Sequence, residues 1–207
     1  MNALPPALAG REPRLVLASS SPRRRDLLSK HGFVFEVLTT SVEELKDPSC
    51  GPIPLVQKNA QLKAWPVASL RPDCVVIGAD TVVAFGDQIL GKPADLLEAA
   101  EMLELLNGQE HAVHTGVCIV HGLSGREAVF IETTLVRFHK LTVQERSLYH
   151  QRIDPLDKAG AYAAQDDHGD LIASTTGSFS NVVGLPMEAL KKHLTSFFST
   201  ATLDPKN

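Results

Sequence analysis

Three consecutive arginines, Arg23, Arg24 and Arg25, follow a serine-rich turn at the start of a predicted helix. Ser21 is a typical N-cap residue, and Pro22 suits the first helical position. The helix dipole disfavours cations there by about 0.3–1 kcal/mol each. Backbone N–H groups, serine hydroxyls and guanidinium groups converge at this turn, which predicts a phosphate-binding site with Arg23 and Arg24 as the better candidates. The alternative is that all three side chains extend into water.

Asp80 lies within CVVIGADTVVAF (74–85), an apolar and β-branched run that is typical of a strand buried on both faces. An ionised carboxylate is costly there unless it is paired, hydrogen-bonded or bound to a cation. One interpretation is that Asp80 accepts backbone N–H groups at a strand bend. We favour a divalent cation shared with a phosphate, because Mg²⁺ often takes only one or two protein carboxylates and completes its shell with water and phosphate oxygens.

Four further charged residues extend this set: Glu44, Lys63, Lys92 and Lys158. Each alone would usually be a solvated surface residue. Lys92, in GKP, and Lys158, in DKAG, lie in short turns from which a cation can point inward. Several cations, a metal and a carboxylate in one cleft suit a reaction on a polyphosphate, whose charge must be neutralised before a nucleophile approaches.

The composition limits the classes of protein to consider. The chain has 207 residues, is 43% hydrophobic and has a net charge of −4. This charge argues against a nucleic-acid partner and favours a small anion held in one cleft. No apolar run approaches the ~18 residues of a membrane span, and the first residues lack the pattern of a secretion signal. The three cysteines, Cys50, Cys74 and Cys118, form no disulfide or zinc pattern, so we expect a cytoplasmic protein without a membrane partner.

Hydrophobic periodicity predicts an α/β protein with a twisted mixed sheet. We expect a tail at 1–13, a single domain at 14–198 and a C-terminal tail at 199–207. Strands are predicted at 33–38, 74–85, 110–122, 126–139 and 160–164, with the third and fourth forming a hairpin, and helices are predicted to begin near Pro22, Leu55, Asp95, Thr142 and Pro186. Pro66 is expected to end or kink the second helix.

Eight segments resemble, in order, the motifs of the Maf family of nucleoside triphosphate pyrophosphatases. They span about residues 14–192 and read LASSSPRRRDLL, EE at 43–44, AQLKA, VIGADTVV, LGKP, TGV, DKAGAYAAQ and GSFSNVVGLP. The resemblance implies an ITPase-like (Maf/HAM1) α/β fold: an elongated, twisted mixed sheet with flanking helices and a nucleotide cleft between two lobes. It also implies a metal-dependent enzyme, often a homodimer, that cuts between the α- and β-phosphates.

The resemblance implies a role for each residue of this chain that matches a position in the family's motifs. Asp80 matches the proton acceptor that activates water. The polar positions of the family's catalytic cleft are matched by Ser19, Arg23, Arg24, Glu44, Lys63, Lys92 and Lys158. Arg23, Thr81 and Gln165 match positions associated with the choice of dTTP and UTP, and the Gln165 amide can meet both the carbonyl and the N3–H of a pyrimidine. The family's usual IQG is AQD in this chain, which makes the base contact less secure than the phosphate site.

Two functions follow as hypotheses. In the first, Mg²⁺ or Mn²⁺ held by Asp80 and Glu44 bridges a triphosphate while water attacks the α-phosphorus. Which carboxylate is base and which is ligand stays open. In the second, the protein senses nucleotides without catalysis and regulates cell division. The presence of Asp80, Glu44 and Lys63 together favours the enzyme, because sensing needs a phosphate clamp but no acid that activates water.

Overall fold

The computed structural model describes residues 14–199. Over that range the chain forms one seven-stranded sheet with helices on both faces. The strands are β1 Leu15–Leu17, β2 Glu36–Val37, β3 Val75–Phe85, β4 Gln88–Leu90, β5 Glu110–His121, β6 Arg126–Phe138 and β7 Ile172–Thr176. The helices are α1 Pro22–Lys30, α2 Pro52–Leu70, α3 Leu96–Leu106, α4 Val143–Arg152, α5 Phe179–Val183 and α6 Met187–Ser199. The predicted tails lie outside the described residues, apart from Ser199 at the end of α6.

The sheet is mixed, as the sequence predicts. Its strand order is β2-β1-β3-β5-β6-β7, and β4 pairs with β3 off this path. The short strand β1 pairs in parallel with both β2 and β3. All other pairs are antiparallel, including the long β5–β6 hairpin. The α/β class with flanking helices is therefore confirmed. Among residues 14–199 there is no helix with the length and apolar character that crossing a membrane requires.

Strand β3 passes from one apolar cluster to another. On the face of β3 that carries Asp80, Val76 belongs to a cluster with Ala64 of α2, whereas Val82 belongs to a second cluster with Val56 of α2. Asp80 lies between these two residues in the strand. The boundary between two separately packed regions thus coincides with the acid that the sequence singles out.

Helix α2 packs unusually close to the sheet because two strand residues opposite it are glycines. A Cβ atom at Gly78 would lie 2.3 Å from the carbonyl oxygen of Ala60, and one at Gly116 would lie 2.5 Å from that of Val56. Both distances are far shorter than van der Waals contact. Since Val56 and Ala60 belong to the fully buried face of α2, this approach fixes the helix directly over β3 and β5.

Of the two outcomes expected at Pro66, an end or a kink of α2, the end is wrong, because the helix continues to Leu70. Proline in a helix interior removes one backbone hydrogen bond. Beyond it, however, Val67 and Ala68 are fully buried and extend the apolar face that packs on the sheet. Burial of this last turn outweighs the local preference of proline.

The expectation of a strand at 160–164 is also wrong. This stretch forms two short 3₁₀ turns, Ala159–Ala161 and Ala164–Asp166. Gly160 and Ala161 have φ angles of 68° and 58°, which are incompatible with an extended strand. The apolar residues of the segment are buried by packing rather than by strand pairing. The strand predicted at 33–38 is shorter than expected and covers only β2.

Substituting Gly116 with alanine should destabilise the fold, because the new methyl group would push α2 off the sheet. We expect the free energy of unfolding to fall by about 1–3 kcal/mol, the usual cost of overpacking. Urea denaturation measures the change. Gly91→Ala is the control, since a Cβ atom there meets nothing within 4 Å. Equal stability of the two variants would contradict the close packing of α2.

Candidate active site

A cleft of about 380 Å³ opens where β1 ends and α1 begins. Its walls are residues 18–24 of this junction, residues 39–42 and Glu44 of the following loop, Lys63 of α2, Lys92 and Asp157. The fold thus brings together most of the charged residues that the sequence singles out. They come from distant parts of the chain and share one cavity whose lining is mainly polar.

The junction leaves the N-terminus of α1 open to an anion. Ser21 occupies the N-cap position, but its side chain makes no capping hydrogen bond, and the first turn contains no acidic residue. Its backbone N–H instead donates to the hydroxyl of Ser19 at 3.2 Å. First-turn N–H groups without a side-chain acceptor form an anion-binding position, and the adjacent cations add to it.

Arg24 is buried and ties the junction to the rest of the molecule. Its Nε donates to the carbonyl oxygen of Gly184 at 2.8 Å, and its terminal nitrogens donate to Ser19 Oγ at 3.2 Å and to Thr81 Oγ1 at 3.0 Å. Burial lowers the pKa of this guanidinium, and the nearby carboxylate of Asp80 opposes that effect. Three of its five N–H groups are committed to the protein, so two are left for a ligand.

Arg23 and Lys158 share one acid that the sequence analysis missed, Asp157. Arg23 donates to Asp157 Oδ2 at 2.8 Å and to its carbonyl oxygen at 3.2 Å. Lys158 Nζ donates to Asp157 Oδ1 and, at 2.6 Å, to the carbonyl oxygen of Asp154. Burial raises the pKa of Asp157, but hydrogen bonds from Lys158 and Arg23 outweigh it, and the pKa lies below its ordinary value. Lys158 therefore lies behind Asp157 rather than on the cleft wall.

The ammonium group of Lys63 lies between two carboxylates. Its Nζ is 2.6 Å from Asp80 Oδ1 and 3.1 Å from Glu44 Oε2. The side chains of Lys63 and Asp80 are 14% and 10% exposed, whereas that of Glu44 is 47% exposed. The second carboxylate oxygen of Asp80 accepts a hydrogen bond from Asn59 at 3.0 Å. Lys63 thus offsets the repulsion between the two acids and fixes their spacing.

The carboxylate oxygens of Asp80 and Glu44 could supply part of the coordination shell of a hard divalent cation. The described residues contain no group of three His, Cys, Asp or Glu side chains arranged to hold a metal ion. Two carboxylates beside an anion-binding position are nevertheless the donor set that Mg²⁺ uses when phosphate oxygens and water complete its shell. Asp80 and Glu44 are the residues that would hold it.

The remaining predicted residues differ in position. Lys92 is exposed and lines the cleft. The Thr81 hydroxyl contacts Arg24 and, at 2.9 Å, the hydroxyl of Thr115, so it lies on the opposite face of β3 from Asp80. Gln165 is exposed on a 3₁₀ turn, and its amide nitrogen donates to Asp166 at 3.4 Å. It is not among the residues that line the cleft.

Fold and cleft together define the class: a mixed α/β protein with a cationic cleft beside a lysine-bridged pair of acids. The chain belongs to the family of Maf-like proteins, whose family model matches residues 14–197.

Two relatives carry the name dTTP/UTP pyrophosphatase. The protein of Pelotomaculum thermopropionicum is 44% identical over 88% of this chain and 96% of its own length. That of Symbiobacterium thermophilum is 44% identical over 89% of this chain and 94% of its own length. Among solved structures, a HAM1 protein from Coxiella burnetii superposes with a TM-score of 0.44 and 14% identity, over 61% of this chain and 73% of that one.

Replacing Arg24 with lysine should cost more stability than the same change at Arg25. Lysine keeps the charge but cannot reach Gly184, Ser19 and Thr81 together, so we expect a loss of about 1–3 kcal/mol in the free energy of unfolding. Arg25 is 58% exposed, and within residues 14–199 its ion pair is with Asp26 at 4.0 Å. Its variant should stay within about 0.5 kcal/mol of the wild type. Equal losses in chemical denaturation would contradict the tethering role of Arg24.

Proposed function

We propose that this protein hydrolyses dTTP and UTP, and modified pyrimidine nucleotides of the same shape, to the monophosphate and pyrophosphate. One observation carries the proposal: Glu44 and Lys63 line the same cleft as an uncapped, cationic helix N-terminus, and Lys63 also pairs with the buried acid Asp80. The two relatives align with nearly the whole described chain, and their names support this choice of substrates.

The triphosphate binds at the β1–α1 junction. Backbone N–H groups at the start of α1 and the hydroxyl groups of the serine turn donate to phosphate oxygens. Arg23 and Lys92 neutralise the negative charge that develops on the leaving pyrophosphate. Lys158 acts indirectly, through its bond to Asp157 and hence to Arg23.

Water attacks the α-phosphorus on the side of the acids. Asp80 and Glu44 divide two roles between them, acceptor of the proton from water and ligand of the cation. The resemblance assigns proton acceptance to Asp80, which Lys63 and Asn59 hold at both oxygens. Bound Mg²⁺ or Mn²⁺ supplies charge neutralisation at the triphosphate.

Three residues take part in substrate choice. The Gln165 amide offers a donor and an acceptor that match the edge of thymine or uracil. Arg23 belongs to the phosphate site, and Thr81 acts through Arg24, to which its hydroxyl is hydrogen-bonded.

We place the enzyme in the cytoplasm as a homodimer. Its role would be house-cleaning, that is, hydrolysis of unwanted nucleotides in the cell. A sensor without catalysis is disfavoured, since a clamp for phosphate needs no pair of acids held by Lys63.

Replacing Asp80 with asparagine should abolish most turnover, because the variant keeps the shape of the side chain but loses its basicity and charge. We expect kcat for dTTP to fall about 100-fold or more. Glu44→Gln should lower kcat as well. The matched control is Glu43→Gln, since Glu43 neighbours Glu44 in the sequence but does not line the cleft. Near-normal hydrolysis by the Asp80 variant would refute its role.

The reaction itself is tested by measuring pyrophosphate release from dTTP, UTP, GTP and ATP, with Mg²⁺ and with EDTA. Hydrolysis should be fastest with dTTP and UTP and should require the cation. Gln165→Leu should lose about tenfold or more in the preference for UTP over GTP, because one polar contact to the base disappears. Tight nucleotide binding without any turnover would favour the sensor. Release of orthophosphate as the first product would contradict cleavage between the α- and β-phosphates.

A further inference from the structure

One buried amide, that of Asn59 on α2, contacts both the acid on β3 and the loop that carries Glu44. Its Nδ2 donates to Asp80 Oδ2 and to the carbonyl oxygen of Leu45, both at 3.0 Å. Its Oδ1 accepts from the backbone N–H of Leu45 at 2.8 Å. Asn59 is only 2% exposed. Both hydrogens of the amide and its oxygen are therefore committed to two elements of the candidate active site.

Packing alone does not account for an asparagine at this position. The neighbouring residues on the same helix face, Val56 and Ala60, are fully buried and apolar. A buried amide costs free energy unless each of its polar atoms finds a partner, and leucine has nearly the same shape without that cost. What asparagine adds is its bonds to Asp80 and Leu45.

These bonds restrain the two acids in different ways. The carboxylate of Asp80 is held at one oxygen by Lys63 and at the other by Asn59, so its plane cannot rotate freely. Glu44 belongs to residues 38–47, which form no helix or strand. The two bonds to Leu45 hold the backbone next to Glu44, whose side chain meets Lys63 at 3.1 Å. One side chain thus sets the position of one acid and of the loop that bears the other.

We infer that Asn59 is a positioning residue for the proposed hydrolysis, one that fixes Asp80 and Glu44 relative to each other without touching the substrate. The inference rests on the proposed function. Catalytic groups that are displaced by a fraction of an ångström lose much of their effect on the rate. The phosphate-binding junction lies at the start of α1, so loss of the Asn59 amide should leave it unchanged. The loss should therefore fall on kcat rather than on KM.

The chain contains a matched control for this clamp. Asn107 donates to the carbonyl oxygen of Leu141 at 3.0 Å and accepts from its N–H at 2.8 Å, the same two backbone bonds that Asn59 makes to Leu45. It lies at the end of α3 and is not among the described residues that line the cleft. Asn107→Leu removes an equivalent clamp from a place that the reaction does not use.

The experiment compares Asn59→Leu with Asn107→Leu by steady-state kinetics with dTTP and by amide hydrogen exchange. In Asn59→Leu we expect kcat to fall about 30- to 100-fold, KM to stay within about threefold, and exchange of the Leu45 amide to accelerate. Affinity for the non-hydrolysable α,β-methylene-dTTP should stay within the same threefold range. In Asn107→Leu the Leu141 amide should exchange faster while kcat is unchanged. Asn59→Ala, which leaves room for water beside Asp80, is a second variant with the same expected kinetics.

Wild-type kcat in either Asn59 variant, with exchange at Leu45 accelerated, would overturn the inference and leave the proposed function intact. An equal fall of kcat in Asn107→Leu would also overturn it, because the effect would then be general loosening of the fold. A wild-type protein that releases pyrophosphate from no nucleotide would overturn the proposed function, and the positioning role with it.

Discussion

The contact of the Lys63 ammonium with Asp80 and Glu44 is the interaction on which the rest of the site depends. Two acids brought together beside a buried strand repel each other, and removal of the cation between them would leave the buried Asp80 carboxylate without its ion-pair partner. The contact exists only because α2 lies directly over β3, and α2 can do so because Gly78 and Gly116 present no Cβ to its backbone. Close packing of a helix on glycines is thus a condition for the chemistry.

The same strand serves both halves of the site because its side chains alternate between faces. Asp80 points toward α2 and Lys63, whereas its neighbour Thr81 points toward Arg24. Three cations of the cleft wall, Arg23, Arg24 and Lys63, are each restrained by a protein acceptor. This balance explains how a chain with a net charge of −4 presents a cationic cleft without a basic surface, and why a small anion suits it better than a long polyanion.

The features that the sequence predicted well are those set by neighbouring residues. Pro22 opens α1, Asp95 caps α3 with bonds to two backbone N–H groups, and the β5–β6 hairpin forms as expected. The features that it missed depend on distant contacts. Pro66 is tolerated within α2 because the turn after it is buried. Residues 160–164 do not form a strand because Gly160 and Ala161 adopt positive φ angles. The role of Asn59 was missed because its neighbours in the sequence give a single signal, a polar amide within the apolar stripe of a helix. Asp157 was missed because an acid next to a lysine is typical of an ordinary surface pair.

The most direct test of the account is a crystal structure of this protein with α,β-methylene-dTTP and Mg²⁺. We expect phosphate oxygens at the β1–α1 junction, within about 3.2 Å of first-turn N–H groups and of the Arg23 guanidinium, with the α-phosphate facing Asp80 and Glu44. An analogue bound elsewhere, with the junction empty and the guanidinium turned away, would contradict it.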